Sequence, residues 1–367
     1  MLTRMAVAIP PYPETAKRAS MKFVRNTWYC AAWSETVTRQ PIERKFLGEP
    51  IVMYRTEDGQ AVALGNRCPH RFAPMHKGCL KGDAIECPYH GLQFAPSGAC
   101  THNPHGDGHV PAAAKLKAYR LHERDGIVWI WMGDPEKADT STLLDAGHTA
   151  FMTDRENFAV GVGDLKVNAN YLMVMDNLLD LTHAPFVHPT TVGGRPEDSV
   201  GNEEIQIRFE EDERSVTSLY FVPQMPPTPQ LRPLYPLPKG DFRIQMRWEP
   251  GSNLAMRLTM TPPGQQDGTG IVLPLLHLLT PIDDTHTHYF FALARNVALD
   301  NDQAHAGMME FARKAFEEED EPMIAACQEQ MGTTDLFSLK PVLLQTDVAT
   351  VKARRRVDAL IQAEAGR

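Results

Sequence analysis

C-P-H-R-F-A-P-M-H-K-G-C-L-K-G-D-A-I-E-C-P-Y-H, residues 68–90, contains two short loops that each offer one thiolate and one imidazole. Cys68-Pro69-His70 is followed, after 16 residues, by Cys87-Pro88-Tyr89-His90, so the pattern is C-x-H, then C-x2-H. A structural zinc site of Cys2His2 composition is one reading, but zinc fingers usually pair Cys with Cys and His with His. A binuclear iron-sulfur cluster explains the mixed loops, because two cysteines can take one iron and two histidines the other. Two ferric ions, two sulfides and two thiolates sum to zero charge, whereas an all-cysteine cluster is doubly negative. Imidazole ligation therefore makes the added electron easier to accept and raises the reduction potential.

Working outward, residues 22–133 show short apolar or alternating runs at 50–54, 61–64, 85–87, 92–94 and 126–132, separated by turn signals such as Glu57-Asp58-Gly59 and Pro96-Ser97-Gly98. This predicts an all-β domain over 21–135, preceded by a flexible tail over 1–20, with Met21 as an alternative start. Residues 136–367 predict an α+β domain. A helical run over 168–188 comes first, then strands at 205–209, 216–221, 242–248, 253–261, 271–280 and 287–295, then helical sequence over 302–331. Helices on one face of a curved antiparallel sheet satisfy that order. The Pro-rich run 223–238 reads as a long surface loop.

A second constellation lies at 176–188, D-N-L-L-D-L-T-H-A-P-F-V-H. Asp180 and His183 would share a helical face, and Pro185 would break the helix so that His183 and His188 converge. Two histidines are one ligand short of the 2-His-1-carboxylate triad that leaves open positions on ferrous iron. The acidic run Glu318-Glu319-Asp320-Glu321 offers Asp320, with Glu318 and Glu319 competing. As a pattern, that run reads more readily as a solvated helix end than as a ligand. A carboxylate such as Asp180, one turn from a ligand histidine, would orient the imidazole, and Asn177, three residues earlier, could approach the same pocket.

Composition narrows the function. The 367 residues suffice for two cores, and 43% apolar with 23% charged residues is the balance of a globular protein. A formal charge of -9 gives no reason to expect nucleic acid. The basic cluster Lys352 to Arg356 reads as the solvated face of a C-terminal helix. No apolar run approaches the roughly 18 residues of a membrane span, and Pro10, Pro11 and Pro13 interrupt any leader. Six cysteines without a disulfide framework point to a reducing compartment, hence the cytoplasm; Cys79 and Cys100 lie outside the ligand loops and read as free thiols. No G-x-G-x-x-G follows a strand, so electrons must come from a separate reductase.

Residues 22–135 resemble the Rieske family. D-N-L-L-D-L-T-H-A-P-F-V-H, the downstream E-D-E-P, N-P-H-G at 103–106 and H-Y-F-F at 288–291 resemble Rieske oxygenases of the vanillate and dicamba O-demethylase type. The resemblance implies an α+β chain: an N-terminal all-β Rieske 2Fe-2S domain, then a helix-grip-like catalytic domain with a curved antiparallel sheet and flanking helices. It implies that Cys68, His70, Cys87 and His90 hold the cluster, and that His183, His188 and Asp320 hold a mononuclear Fe(II). It further implies that Asp180 bridges His183 to His90 of a neighbouring subunit in a head-to-tail homotrimer. His277, in an H-x-L-T-P match, would contact substrate, while Arg257 near a doubtful stretch is only a candidate for a substrate carboxylate. The expected activity is O2-dependent O-demethylation of a methoxylated aromatic compound. Electrons would pass from NAD(P)H through a flavin and ferredoxin type reductase, or through a ferredoxin plus reductase. N-dealkylation and methyl or ring hydroxylation are alternatives within the class. A metal-stabilised protein that merely binds a hydrophobic ligand is the alternative outside it, and a simple Rieske electron carrier would not need about 230 further residues.

Overall fold

A computed structural model describes residues 23–188, 191 and 205–366, so the expected tail over 1–20 lies outside the described residues. The chain divides into two compact units.

The first unit, Arg25–Ala146 with Thr280–Asp284, is built of antiparallel strands. One sheet has the order β1-β10-β9, where β1 is Trp28–Trp33, β9 Arg120–Arg124 and β10 Ile127–Trp131. A second has β2 (Ile42–Phe46), β3 (Glu49–Arg55) and β4 (Ala61–Gly65) in that order. A third runs β5 (Cys79–Lys81), β6 (Ala84–Glu86), β7 (Gln93–Phe94) and β8 (Cys100–His102). Every residue of β1 and β10 is buried, which is why their sequences, W-Y-C-A-A-W and I-V-W-I-W, are continuously apolar instead of alternating. Trp28 lies directly opposite Trp131, and the two rings meet edge-on at 5.3 Å. Segment 280–284 is stitched in by the Thr280 hydroxyl, which donates to the Cys30 carbonyl at 2.6 Å, and by the Leu47 and Gly48 amides, which donate to Pro281 and Ile282.

The second unit, comprising Gly147–Leu279 and Thr285–Arg367, centres on a seven-stranded antiparallel sheet in the order β11-β17-β16-β15-β14-β13-β12. These strands are β11 (Ala159–Val167), β12 (Gln206–Glu211), β13 (Val216–Met225), β14 (Gly240–Glu249), β15 (Asn253–Thr261), β16 (Ile271–Asp283) and β17 (His286–Arg295). Six coincide with the strands predicted above, and β11 is the addition. Its Gly161 and Gly163 interrupt the apolar alternation that marks a strand. They are needed for close approach: a Cβ on Gly163 would sit 2.3 Å from the Phe291 ring, and one on Gly161 would sit 2.2 Å from Met309 Sδ.

Helices flank this sheet. After the short α1 (Ala146–Thr149) comes α2 (Tyr171–Leu179), whose N-terminus is capped by Asn170 Oδ1 accepting from the Leu172 amide at 3.0 Å. A 3-10 turn, Leu181–His183, leads into α3 (Ala184–Val187). The late helical run is α4 (Asp302–Arg313), a π-helical segment Lys314–Asp320, and α5 (Glu321–Met331), while α6 (Val348–Ala365) closes the chain. Among the described residues no helix is long and apolar enough to cross a membrane.

Two expectations need correcting. The helical run breaks at Asp180, which is extended (φ -112, ψ 97), and not at Pro185. Pro185 falls in the first turn of α3, where its missing N–H has no intrahelical partner to lose. The basic cluster 352–356 is not uniformly solvated either. Arg354 is 4% exposed and grips Asp176 of α2, with Nε at 3.0 and 2.8 Å from the two carboxylate oxygens and Nη2 at 2.6 Å. Burial pushes the Asp176 carboxyl up, and Arg354 opposes that shift. Breaking such a pair strands the surviving charge. Asp176→Ala should therefore cost about 3–5 kcal/mol in denaturant unfolding, and Asp176→Leu combined with Arg354→Met should recover most of it.

Candidate active site

The two cysteine-histidine loops adopt the same hydrogen-bond pattern. In the first, the Cys68 amide donates to the Ala73 carbonyl and the Phe72 amide returns to Cys68, both at 2.9 Å; in the second, Cys87 donates to Leu92 at 2.8 Å and Gly91 returns to Cys87 at 3.1 Å. Closing each loop requires positive φ at its turn residue, 59° at Phe72 and 71° at Gly91. Cys68 and Cys87 belong to the apolar core with Val52, Leu64, Ile85 and Phe94, whereas His70 is exposed and its ring lies 4.4 Å from that of His90. Burial pushes the Cys68 thiol up to about 11, and neighbouring Cys87 adds to the shift. His90 is held below the ordinary imidazole value by desolvation and by His70. Two sulfurs crowded inside and two imidazoles crowded at the rim are mutually unfavourable as free groups and fit a binuclear cluster. His105, in N-P-H-G, bonds the His90 carbonyl through Nε2 at 2.9 Å. All six cysteines are free; Cys79 is exposed and Cys100 half-buried.

In the second unit the ligating atoms of His183, His188 and Asp320 lie within 4.8 Å of one another. The break at Asp180 makes this possible. Its carboxylate caps the next turn, accepting from the Thr182 amide at 2.9 Å and hydroxyl at 2.7 Å. Its carbonyl, not its carboxylate, lies 2.7 Å from His183 Nδ1. A carbonyl can only accept, so Nδ1 carries the proton and Nε2 is left as the ligating nitrogen. This departs from the side-chain contact expected of Asp180, and the reason is that the carboxylate is already engaged as a cap. His188, 2% exposed, is oriented similarly: Nδ1 is 2.7 Å from Glu319 Oε2, and Nε2 is 3.1 Å from Asp320 Oδ1. Burial lowers the His188 pKa, but Asp320 and Glu319 outweigh it and leave the imidazole above its ordinary value.

The acidic run thus sorts itself. Asp320 is buried beside both Nε2 atoms, Glu319 holds His188 and accepts from the Thr191 hydroxyl, and Glu318 turns outward to Arg313 at 2.7 Å. The widened π-helical turn ends on this pair, and such insertions recur where helices serve function. Asn177 Nδ2 donates to Asp320 Oδ1 at 3.0 Å and lies 3.4 Å from His183 Nε2. Two imidazole nitrogens and one carboxylate, each already oriented, suit ferrous iron.

A cavity of 310 Å³ opens beside this triad. The two-residue strand period supplies its apolar wall, with Phe242, Ile244 and Met246 from β14, Met256 and Leu258 from β15, and Leu273 and Leu275 from β16. Residues 226–230 and Arg232 also line it, so the Pro-rich stretch is not a bare surface loop; Leu231 and Tyr235 within it are buried. His277 lies in the wall at 2% exposure, its Nδ1 2.5 Å from the Tyr289 hydroxyl and its Nε2 without a partner among the described residues. Burial pushes His277 down to about 4, so it is neutral. Arg257 is outside the cavity lining and pairs with Asp267 at 2.7 Å, which removes it as a candidate. Tyr220 and Tyr289 went unassigned at the level of sequence, and Glu319 figured there only as a rival of Asp320 for the metal. Tyr220 lines the cavity, and its hydroxyl accepts from the Leu181 amide at 3.1 Å.

An electron-accepting cluster site and an oxygen-type iron site in one chain define a class, the oxygenase component of a multicomponent oxidoreductase. Residues 27–120 match the Rieske [2Fe-2S] domain, and residues 167–363 match the vanillate O-demethylase oxygenase C-terminal domain. The chain belongs to the Rieske oxygenases that share this vanillate O-demethylase domain. It is 34% identical over 352 residues to the oxygenase component of chloroacetanilide N-alkylformylase from Rhizorhabdus wittichii, covering 93% of this chain and 97% of the relative. It is 33% identical over 350 residues to the oxygenase component of dicamba O-demethylase from Stenotrophomonas maltophilia, covering 94% and 100%. The crystal structure of dicamba monooxygenase with non-heme iron and dicamba superposes with a TM-score of 0.78 at 30% identity, covering 94% of this chain and 99% of that one. The protein is accordingly an oxidoreductase with a Rieske cluster and a mononuclear iron, supplied with electrons by a separate partner. Because Glu319 fixes the ring of His188, Glu319→Ala should weaken divalent-metal binding at the triad by about 10–100-fold, read by metal analysis at buffered free iron, with the cluster absorbance unchanged.

Proposed function

We propose that this oxygenase removes a methyl group from a methoxylated aromatic compound, with Cys68, His70, Cys87 and His90 holding the cluster and His183, His188 and Asp320 holding the iron. The observation that carries the reading is the convergence of both Nε2 atoms and Asp320 beside an apolar cavity whose wall holds a neutral histidine with one nitrogen unpartnered among the described residues. When bound, the two metal groups supply one-electron relay and reduction of O2, placing one oxygen atom in the substrate methyl and releasing the other as water. The resulting hemiacetal collapses to a phenol and formaldehyde.

The chain supplies position and dryness. Asp180 and Glu319 aim the two imidazoles, and Asn177 tethers the Asp320 carboxylate. Leu and Met side chains exclude water. Tyr289 sets the polarity of His277. Its buried hydroxyl proton has one acceptor among the described residues, His277 Nδ1, so the ring hydrogen resides on Nε2. His277 then acts as a neutral donor to an ether or carbonyl oxygen of the substrate. N-dealkylation is the second reading, favoured by likeness to the chloroacetanilide enzyme, since a carbonyl oxygen would meet the same donor.

The Asp180 carboxylate is further proposed to reach His90 of a neighbouring subunit in a homotrimer, passing electrons between chains. Its support is the rim position of His70 and His90 and the buried Tyr220 hydroxyl held against Asp180, whose charge reinforces burial in raising the tyrosine pKa. Free cysteines throughout support a cytoplasmic setting.

A panel of methoxybenzoates, assayed with a surrogate reductase, should give formaldehyde in step with oxygen uptake, and uptake without formaldehyde across the panel would remove O-demethylation. Asp320→Ala should keep the cluster spectrum while losing the mononuclear iron and formaldehyde release together. Asp180→Asn should retain both metals but slow single-turnover electron transfer roughly tenfold or more; an unchanged rate would exclude the bridge.

A further inference from the structure

A helix end leaves its last carbonyls without intrahelical donors, and chains commonly resolve this with a glycine in the left-handed conformation. At the end of α2 stands Asp180 instead, in an extended conformation (φ -112, ψ 97). Strand β13 supplies the missing partners. Ser218 Oγ donates to the Leu179 carbonyl at 2.9 Å, and the Tyr220 hydroxyl donates to the same carbonyl at 3.3 Å. The Leu181 amide in turn donates to the Tyr220 oxygen at 3.1 Å. Two side chains of one strand thus hold the backbone on both sides of Asp180.

Their placement follows from the strand period. Ser218 and Tyr220 share one face of β13, and their partners on β14, Met246 and Ile244, line the catalytic cavity, as Tyr220 itself does. Ser218 is 0% exposed and Tyr220 6%. Burial first, and the Asp180 charge next, push the Tyr220 pKa up, so the hydroxyl keeps the proton that Leu179 accepts and offers its lone pairs to Leu181. The amide of Leu181 and the carbonyl of Asp180 belong to one planar peptide, and no peptide bond among the described residues is cis. In a trans peptide the N–H and the C=O point in opposite directions. With the N–H fixed on Tyr220, the carbonyl on the far edge is directed at His183 Nδ1, 2.7 Å away.

We infer that Tyr220, assisted by Ser218, is a positioning residue for the metal site: it holds the Asp180–Leu181 peptide by its N–H, and that peptide aims its carbonyl at His183 and commits His183 Nε2 to the metal. The inference rests on the reading of His183 as a ligand. Without the hydroxyl, the peptide plane can turn about its two flanking bonds, and the His183 ring loses the acceptor that sets its tautomer and its angle. Leu181 would also lose the acceptor of its amide, a cost in stability that by itself would leave the metal untouched. The two consequences are separable by measurement.

The test uses the full chain with its cluster loaded and oxidised, titrated anaerobically with ferrous iron at buffered free concentration. Nitric oxide is then added, so that the EPR spectrum of the iron nitrosyl reports the ligand geometry. Tyr220→Phe keeps the ring in the cavity wall and should bind iron about tenfold or more weakly, with a nitrosyl spectrum of altered rhombicity and unchanged cluster absorbance. Ser218→Ala should shift both readouts in the same direction by less, which decides the matter even if Tyr220→Phe fails to fold. Thr287→Val is the control for softening of the same unit. Its hydroxyl donates to the Ala169 carbonyl at 2.8 Å, at the other end of α2, and the variant should match wild type in affinity and nitrosyl spectrum whatever its Tm. Wild-type affinity and spectrum in both Tyr220→Phe and Ser218→Ala would overturn the inference, as would an equal loss in Thr287→Val. His183→Ala separates this from the ligand reading: if it keeps its iron, the ligand reading falls and takes the inference with it. If His183→Ala loses iron while the Tyr220 and Ser218 variants behave as wild type, only the positioning role is removed.

Discussion

Two hydrogen bonds to histidine Nδ1 atoms organise the catalytic unit. The Asp180 carbonyl takes one and the Glu319 carboxylate the other, and between them they commit both Nε2 atoms to the neighbourhood of Asp320. An imidazole free to flip or rotate would present either nitrogen and would lose the common focus. The surrounding architecture serves that commitment. Asp180 leaves the helical conformation so that its carbonyl faces forward, and the π-helical turn places consecutive residues, Glu319 and Asp320, on the two nitrogens of one ring.

The frame behind the site is stiff where it must be. Arg354 of α6 clamps Asp176, next to Asn177 on the helix that leads to Asp180, and α2 is buried along seven of its nine residues. Asn177 then reaches Asp320, so two elements 143 residues apart are joined at the candidate metal site. The sheet contributes by alternation: one face of β13 to β17 lines the cavity, and His277 is the polar exception on β16. A buried polar group is tolerated when partnered, and Tyr289 partners one nitrogen of His277 while the other has no partner among the described residues.

The cluster unit solves a different problem. Its thiols sit in an apolar core while its imidazoles occupy the rim, so the sulfur side is shielded and the nitrogen side is reachable by an electron partner. Matching loop hydrogen bonds hold the two halves in equivalent poses despite their unequal C-x-H and C-x2-H spacing, and Phe72 accepts a left-handed conformation that Gly91 adopts without strain.

The sequence by itself determined what is local. The grouping of Cys68 with His70 and of Cys87 with His90 is legible because each pair lies within four residues, and six sheet strands are legible because their apolar runs are bounded by turn signals, with β15 to β17 buried along most of their length. The strand β11 was hidden because its glycines answer to Phe291 and Met309, residues remote in the chain. Only the tertiary structure distinguishes Glu318, Glu319 and Asp320, since adjacent carboxylates are chemically alike until a histidine 131 residues from Glu319 meets one carboxylate on each nitrogen while Glu318 turns to Arg313. It also decided that Arg354 is buried, that Asp180 acts through its carbonyl, and that the Pro-rich stretch walls a cavity. Each of these depends on which partner a group meets in space, and a one-dimensional pattern carries no record of that.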